Sequence, residues 1–433
     1  MKPIHKVLLS FILLCMMTDS ASSQQLNSFV KVTNGHFYIN NKQYNYIGTN
    51  FWYGAMLGSK GVGGDRNRLN KELDLMKANG INNLRVLVGA DGEDNQTSKV
   101  QPALQIKPGV YNDSIFDGLD YLLAEMGKRN MYAILFVNDT WEWSGGYIQY
   151  VEWTGDYGKK ILPADGWDLF CKYAGNFLQS DKAKQMFHKH LGHVINRTNR
   201  YTGKKYQDDK AIMAWQIGNE PRALSNDNKP ILAKWLKSEA AYIKSQDANH
   251  LVCTGSEGSM GCEGDIELWK DIHSSPNIDY ATIHIWPFNW SWIDKKDLDG
   301  SIVSAADKMH GYLKNHLDIA QQINKPLVIE EFGIPRDGFS FSPDATTKNR
   351  DYVYQRLLET FLQNVKQNTV LSGCNFWAWG GIGRATKGHT FWQKGDQYLG
   401  DPAQEEQGLN STFDTDNTMK IIKEYNKKIG EMK

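Results

Sequence analysis

The stretch Ile212-Met213-Ala214-Trp215-Gln216-Ile217 is almost wholly apolar and stops abruptly at Gly218-Asn219-Glu220-Pro221-Arg222. A short apolar run ended by Gly and Pro reads as a strand buried on both faces, which is what a parallel sheet covered by helices requires. Seven further runs share the pattern, at residues 44–51, 81–89, 131–139, 250–257, 278–286, 325–333 and 371–380. Amphipathic segments separate them, such as Leu69-Leu73-Met76 and Leu357-Leu358-Phe361-Val365, and a last one over residues 418–432 closes the chain. Eight βα units match the closure number of the (β/α)₈ barrel, so the expected fold class is α/β, a single TIM barrel with enlarged βα loops. A doubly wound sheet is the alternative. Ahead of the barrel, residues 30–44 alternate around Asn34-Gly35 and Asn40-Asn41 and read as a short N-terminal β-hairpin plugging the barrel floor. With no Pro-, Ser- or Gly-rich linker, residues 24–433 are expected to form one catalytic domain.

The chain has 49 basic and 49 acidic side chains among 433 residues, so it carries no net field to concentrate a polyanion. That argues against nucleic acid and the membrane surface as partners. Aromatic residues (14 Trp, 20 Tyr, 17 Phe) reach 12% of the chain, an excess that suits flat surfaces gripping flat ligands. Lys2, His5 and Lys6 precede an apolar run over residues 7–17, followed by Ser20, Ala21, Ser22 and Ser23. This is the layout of a signal peptide over residues 1–23, and it implies a secreted or periplasmic protein. The run is too short for a membrane span, and no second one follows. Lipoprotein anchoring through Cys15 is disfavoured because Leu13-Leu14 lacks the small residue expected before such a cysteine. Cys253 and Cys262 are close enough to close a disulfide loop, but scattered thiols in a chain this large read better as buried small hydrophobes.

In a barrel of this kind catalysis sits at the C-terminal strand ends. The fourth strand ends on Glu220, and the seventh ends at Glu330-Glu331-Phe332-Gly333. Those two strands lie across the barrel from each other. Their carboxylates can therefore approach to about 5–5.5 Å, the spacing of a retaining glycoside hydrolase. One would attack the anomeric carbon; the other would protonate the leaving oxygen and then activate water. Strand alternation allows only one of Glu330 and Glu331 to face the mouth, and periodicity does not say which.

These motifs resemble glycoside hydrolase family 5 of clan A, most of all its endo-β-1,4-mannanase subfamily. The matches run through the whole mature chain: Gly48-Thr49-Asn50-Phe51-Trp52, Asn83-Leu84-Arg85-Val86, Phe136-Val137-Asn138, Gly218-Asn219-Glu220-Pro221-Arg222, Leu251-Val252 through Glu257-Gly258, His284-Ile285-Trp286-Pro287, Glu330-Glu331-Phe332-Gly333 and Phe376-Trp377-Ala378-Trp379-Gly380. The resemblance implies Glu220 as acid/base and Glu331, directly before the aromatic-Gly pair, as nucleophile. It implies Asn219 at the sugar 2-hydroxyl, Arg85 holding the nucleophile ionised, and His284 lining the reacting subsite near the acid/base. Trp377 is implied as the platform under the reacting sugar, and Arg222 and Glu257 as contacts on the leaving-group side. Trp52 and Asn138 join the substrate-binding set. As bare residues, Arg222 and Glu257 read equally well as a rim salt bridge. One position departs from the family: many mannanases carry a Tyr whose hydroxyl bonds the nucleophile where this chain has Trp286, and an indole can donate but not accept.

Other signals are set aside. His188, His190 and His193 lie in a helical stretch where only the last two share a face without a matching acid, which is poor metal spacing. The glycine-rich residues 58–64 lack the Lys-Ser/Thr of a phosphate loop, and Gly255-Ser256-Glu257-Gly258 fails the serine-nucleophile elbow. Residues 141–153 form an aromatic loop that paves distal sugar subsites, caps the cleft or packs on itself. The expected activity is a retaining endo-β-1,4-mannanase acting on mannan, glucomannan or galactomannan. It is expected to be a monomer with no metal or organic cofactor. An endo-β-1,4-glucanase or exo-β-mannosidase on the same scaffold, or a non-catalytic carbohydrate-binding barrel, are the competing readings.

Overall fold

Eight parallel strands form in the computed structural model where the apolar runs lie, in a structure that describes Leu26 and residues 28–432. They are β1 Tyr46–Asn50, β2 Asn83–Leu87, β3 Tyr132–Phe136, β4 Ile212–Gln216, β5 Leu251–Cys253, β6 Ala281–Ile285, β7 Leu327–Phe332 and β8 Leu371–Phe376. Every residue in them is buried, which is why the sequence runs are apolar rather than alternating. The order is β5-β4-β3-β2-β1-β8-β7-β6. Backbone bonds from Asp279 N to Val252 O (2.8 Å) and from His284 N to Glu257 O (3.2 Å) bridge β5 and β6 and close the barrel. The strands are shorter than the apolar runs: β4 stops at Gln216, four residues before Glu220, while Arg85, His284 and Glu331 still lie on β2, β6 and β7.

The helical segments bury the faces that their spacing implies. In the helix Arg66–Ala78, capped by the Asp65 carboxylate on Arg68 N, the side chains of Leu69, Leu73 and Met76 are buried. In the helix Lys348–Lys366 the buried face includes Leu357, Leu358 and Phe361.

The N-terminal hairpin Lys31–Thr33/His36–Ile39 turns at Asn34 and Gly35, both at positive φ (49° and 76°), the geometry that Asn-Gly accepts most easily. It drops Phe37 into the barrel floor. That ring meets Tyr280 edge-on at 5.2 Å, within a cluster that includes Tyr44, Tyr46, Ile134, Met213 and Val328.

The pairing register of β6 and β7 slips at one point: Ile283 pairs with Ile329, but His284 pairs with Glu331. This bulge makes strand alternation a poor guide here. Both Glu330 and Glu331 point inward, Glu331 at the mouth and Glu330 beneath it.

Cys171, Cys253, Cys262 and Cys374 are all free thiols, the last three buried. No described helix is long and apolar enough to cross a membrane. The signal-peptide reading and Cys15 fall outside the described residues.

Candidate active site

At the C-terminal end of the barrel a cleft of about 510 Å³ is lined by residues that include Trp141, Asn219, Glu220, Arg222, Glu257, Trp286, Glu331, Trp377, Gln404 and Glu405. Glu220 sits four residues beyond β4, with its backbone in the left-handed region (φ 48°) between Asn219 and Pro221. A non-glycine residue held there stores strain, which is tolerated where a side chain must be aimed. Glu331 lies on β7. One carboxylate oxygen from each, together with a ring nitrogen of His284, fall within 4.8 Å of one another. That is the close approach of a retaining hydrolase, whose carboxyl groups lie about 5–5.5 Å apart, and it falls short of the roughly 6.5–9.5 Å of inverting hydrolases.

Glu331 is gripped by three side chains from two strands, Arg85 on β2 and His284 and Trp286 on and just beyond β6. Arg85 Nη1 donates to its Oε1 at 2.5 Å, Trp286 Nε1 donates to Oε2 at 3.0 Å, and His284 Nδ1 lies 3.4 Å from Oε2. Burial works against its charge, but His284 and Arg85 outweigh burial and hold the carboxyl below the usual range. Trp286 therefore supplies the hydrogen bond expected of it. Arg85 divides its fork rather than clamping one carboxylate: Nη2 donates to Asn219 Oδ1 at 2.7 Å and Nε to Gln216 Oε1 at 2.7 Å. Asn219 is held from its other end by Asp139, which accepts from Nδ2 at 3.1 Å. Burial raises the Asp139 carboxyl well above the usual range.

Glu220 has a different neighbourhood. His284 Nδ1 stands 2.7 Å from its Oε1, and Trp141 Nε1 donates to its Oε2 at 2.5 Å. Burial opposes charge on His284, yet Glu331, Glu220 and Glu330 together push its pKa well above the ordinary value. Arg222 and Glu257 pair with each other through Nε–Oε2 and through Nη2–Oε1 at 2.8 Å, and both still line the cleft. The rim salt bridge and the cleft position thus coexist. Arg222 also lies 5.1 Å over the ring of Trp141, which stacks on the half-exposed Trp167.

Of the expected substrate-binding residues, Asn219, Arg222, Glu257, Trp286 and Trp377 face the cleft, and Arg85 and His284 stand directly behind the carboxylates. Trp52 and Asn138 do not line it. The Trp52 indole braces the loop after β8 through Gly400 O at 2.9 Å, and Asn138 supports the neighbouring backbone through Asp139 N at 2.8 Å. Trp141, Gln404 and Glu405 are among the lining residues that escaped sequence reasoning as site residues. Trp141 was legible only as part of an aromatic loop, and Gln404 and Glu405 come from a loop without periodicity or motif. Burial, Asp401 and Glu331 raise the Glu405 carboxyl well above the usual range. His190, weighed as a metal ligand, is buried against Val88 O at 3.2 Å, and His193 stacks on Tyr111 at 4.0 Å.

The comparisons with known proteins agree with this geometry. A family model described as "GH family 5 beta-mannosidase-like" matches residues 27–433. The mannan endo-1,4-beta-mannosidase 4 of Oryza sativa subsp. japonica is 30% identical over 314 residues, covering 69% of this chain and 62% of that protein. The chain thus spans less than two thirds of the length of the first curated relatives it matches. A glycoside hydrolase family 5 mannosidase from Rhizomucor miehei superposes with a TM-score of 0.86 at 35% identity, covering 93% of this chain and 98% of that one. An endo-1,4-beta-mannanase from the same fungus shares the fold at 22% identity, with a TM-score of 0.66 over 93% of this chain and 100% of that one.

Proposed function

This chain belongs to the glycoside hydrolase family 5 β-mannosidase-like family, and from that premise we propose that it is a retaining endo-β-1,4-mannanase acting on mannan, glucomannan or galactomannan. The observation that carries the reading is the pair Glu220 and Glu331, converging within 4.8 Å at the barrel mouth with one carboxylate held ionised. Glu331 attacks the anomeric carbon while Glu220 gives its proton to the departing glycosidic oxygen, leaving a sugar esterified to Glu331. Glu220 then takes a proton from water, and the resulting hydroxide equivalent displaces the ester, so the configuration is retained. Arg85, Trp286 and His284 fix the nucleophile, and Trp377 offers an apolar ring to the reacting sugar. Residues 1–23 serve as an export signal, residues 24–433 form one catalytic domain, and the exported enzyme acts as a monomer on its polysaccharide.

The test is a panel of mannan, glucomannan and cellulose with product sizing. Internal cleavage of mannan into oligosaccharides supports the reading, and preference for cellulose overturns it. A second reading, exo-acting β-mannosidase, draws on Gln404 and Glu405. Beside Trp377 they wall one side of the cleft, and the Glu405 carboxyl, raised by burial, Asp401 and Glu331, is suited to meeting the hydroxyls of a chain end. The Rhizomucor relative named a mannosidase is similar across nearly its whole length. Release of mannose alone from mannohexaose would select this second reading.

A further inference from the structure

Glu330 is fully buried beneath the nucleophile, and the reaction outlined above does not use it. Burying an ionisable side chain is costly unless its charge has a task, and an amide or apolar residue would fill the same space more cheaply. Its contacts point to that task. Gln216 Nε2 donates to Glu330 Oε2 at 2.5 Å, and the other end of the same amide, Oε1, accepts from Arg85 Nε at 2.7 Å. An amide placed between an anion and a cation has one sensible orientation. The Glu330 carboxylate thereby sets the direction of Gln216, and Gln216 sets the tilt of the guanidinium that grips Glu331. The backbone helps at the same point, since Asn50 Nδ2 donates to Glu330 O at 2.8 Å while Asn50 Oδ1 accepts from Arg85 Nη1 at 3.0 Å.

The carboxylate also faces both Arg85 and His284 directly. Glu330 Oε2 lies 3.9 Å from Arg85 Nε and 3.9 Å from His284 Nε2, on the side of the imidazole away from Glu220 and Glu331. Its Oε1 meets Tyr280 OH at 3.3 Å and Cys253 Sγ at 3.9 Å, and Tyr46 stands near enough to feel its charge. The titratable groups around His284 are Glu220 from β4, Glu257 from β5, and Glu330 and Glu331 from β7. Only the register slip between β6 and β7 allows two successive glutamates to reach this interior.

We propose that Glu330 is a positioning residue: it orients Arg85 through Gln216 and faces the two buried basic side chains, Arg85 and His284, that hold the reacting carboxylates. The proposal rests on the retaining-hydrolase reading and predicts a change in pH dependence that loss of packing alone does not produce. Removing one negative charge makes each neighbouring group release its proton more readily. In Glu330→Gln, which keeps the volume, both limbs of the kcat/KM profile on an aryl β-mannoside move together to lower pH by about one unit, as expected for a unit charge a few ångströms away. kcat/KM at the optimum falls about tenfold, consistent with loosened positioning. Glu330→Asp keeps the charge and leaves the profile in place. Limbs that stay put in Glu330→Gln, with activity falling only in proportion to the folded fraction, overturn the proposal. Should that variant fail to fold, ¹⁵N NMR of the histidine-labelled full chain decides. A proton held at pH 7 on His284 Nε2, the nitrogen that faces Glu330, supports the proposal, and a bare Nε2 overturns it. Failure of the wild type to hydrolyse any mannan or mannoside refutes the hydrolase reading instead, and the NMR experiment still reads the Glu330 contact.

Discussion

Glu220 and Glu331, the carboxylates we propose as the reacting pair, stand within 4.8 Å of each other, yet their surroundings differ in kind. Glu331 is held by side chains rooted at strand ends, Arg85 on β2, His284 on β6 and Trp286 just beyond it. Glu220 shares only His284 with that set, and its other partner is Trp141, carried on the long loop after β3. A nucleophile has to remain an anion until it attacks, so rigid cationic support suits it. An acid/base has to give up and regain a proton in each cycle, and a neutral donor such as the Trp141 indole interferes less with that exchange than a cation would. The pair shows how one site assigns unlike tasks to identical side chains through what each is tied to.

Substitution of the carboxylates themselves tests this contrast most severely. Glu331→Ala should lose activity about 10⁴-fold or more on every substrate, measured as kcat/KM on mannan and on aryl β-mannosides. Glu220→Ala should lose a similar factor on mannan but recover substantially on aryl mannosides, whose leaving groups need little protonation. Equal loss on both would contradict its role as acid.

Arg85→Lys should lower kcat about 10²–10³-fold, because an ammonium cannot divide itself among Glu331, Asn219 and Gln216. The acid limb of its pH–rate profile should also rise. In the wild type the Glu331 carboxyl is held low by His284 and Arg85, so activity persists to a pH below the ordinary carboxylate range; losing Arg85 support moves that limb upward.

The smallest effects separate the two indoles. Trp286→Phe removes one donor from the nucleophile and should reduce kcat/KM about tenfold with a modest upward shift of the acid limb. Trp141→Phe should leave that limb in place and cost no more than about fivefold on aryl mannosides, with any movement confined to the alkaline limb. A shifted acid limb in Trp141→Phe would dissolve the contrast.

All eight strands of the barrel were legible because burial on both faces leaves an unbroken apolar run, a signal that needs no long-range information. The N-terminal plug was legible through Asn34-Gly35, a local turn. Strand position alone brings Glu220 and the doublet Glu330-Glu331 to one mouth, and the choice of Glu331 within the doublet came from the family resemblance. What escaped depends on distant chain segments. Alternation across Glu330-Glu331 failed because the register of β6 against β7 slips, and register is a property of two strands. Trp141 and Glu405 reach the cleft from loops whose course is set by tertiary packing. Trp52 matched a family position at the strand end, but its indole turns to Gly400 on a loop some 350 residues later in the chain.

The plug at the barrel floor bears on the order in which the molecule can be built. Phe37 precedes every strand of the barrel, but its resting place is lined by Tyr280 and Val328, which emerge far later. The leading segment must therefore wait, undocked, until most of the chain has been synthesised, and the contact that seals the base forms across a very long loop. Trimming or tagging the chain just ahead of Val30 would disturb assembly before it disturbed chemistry, showing itself as lower yield of an enzyme whose surviving molecules turn over at the normal rate.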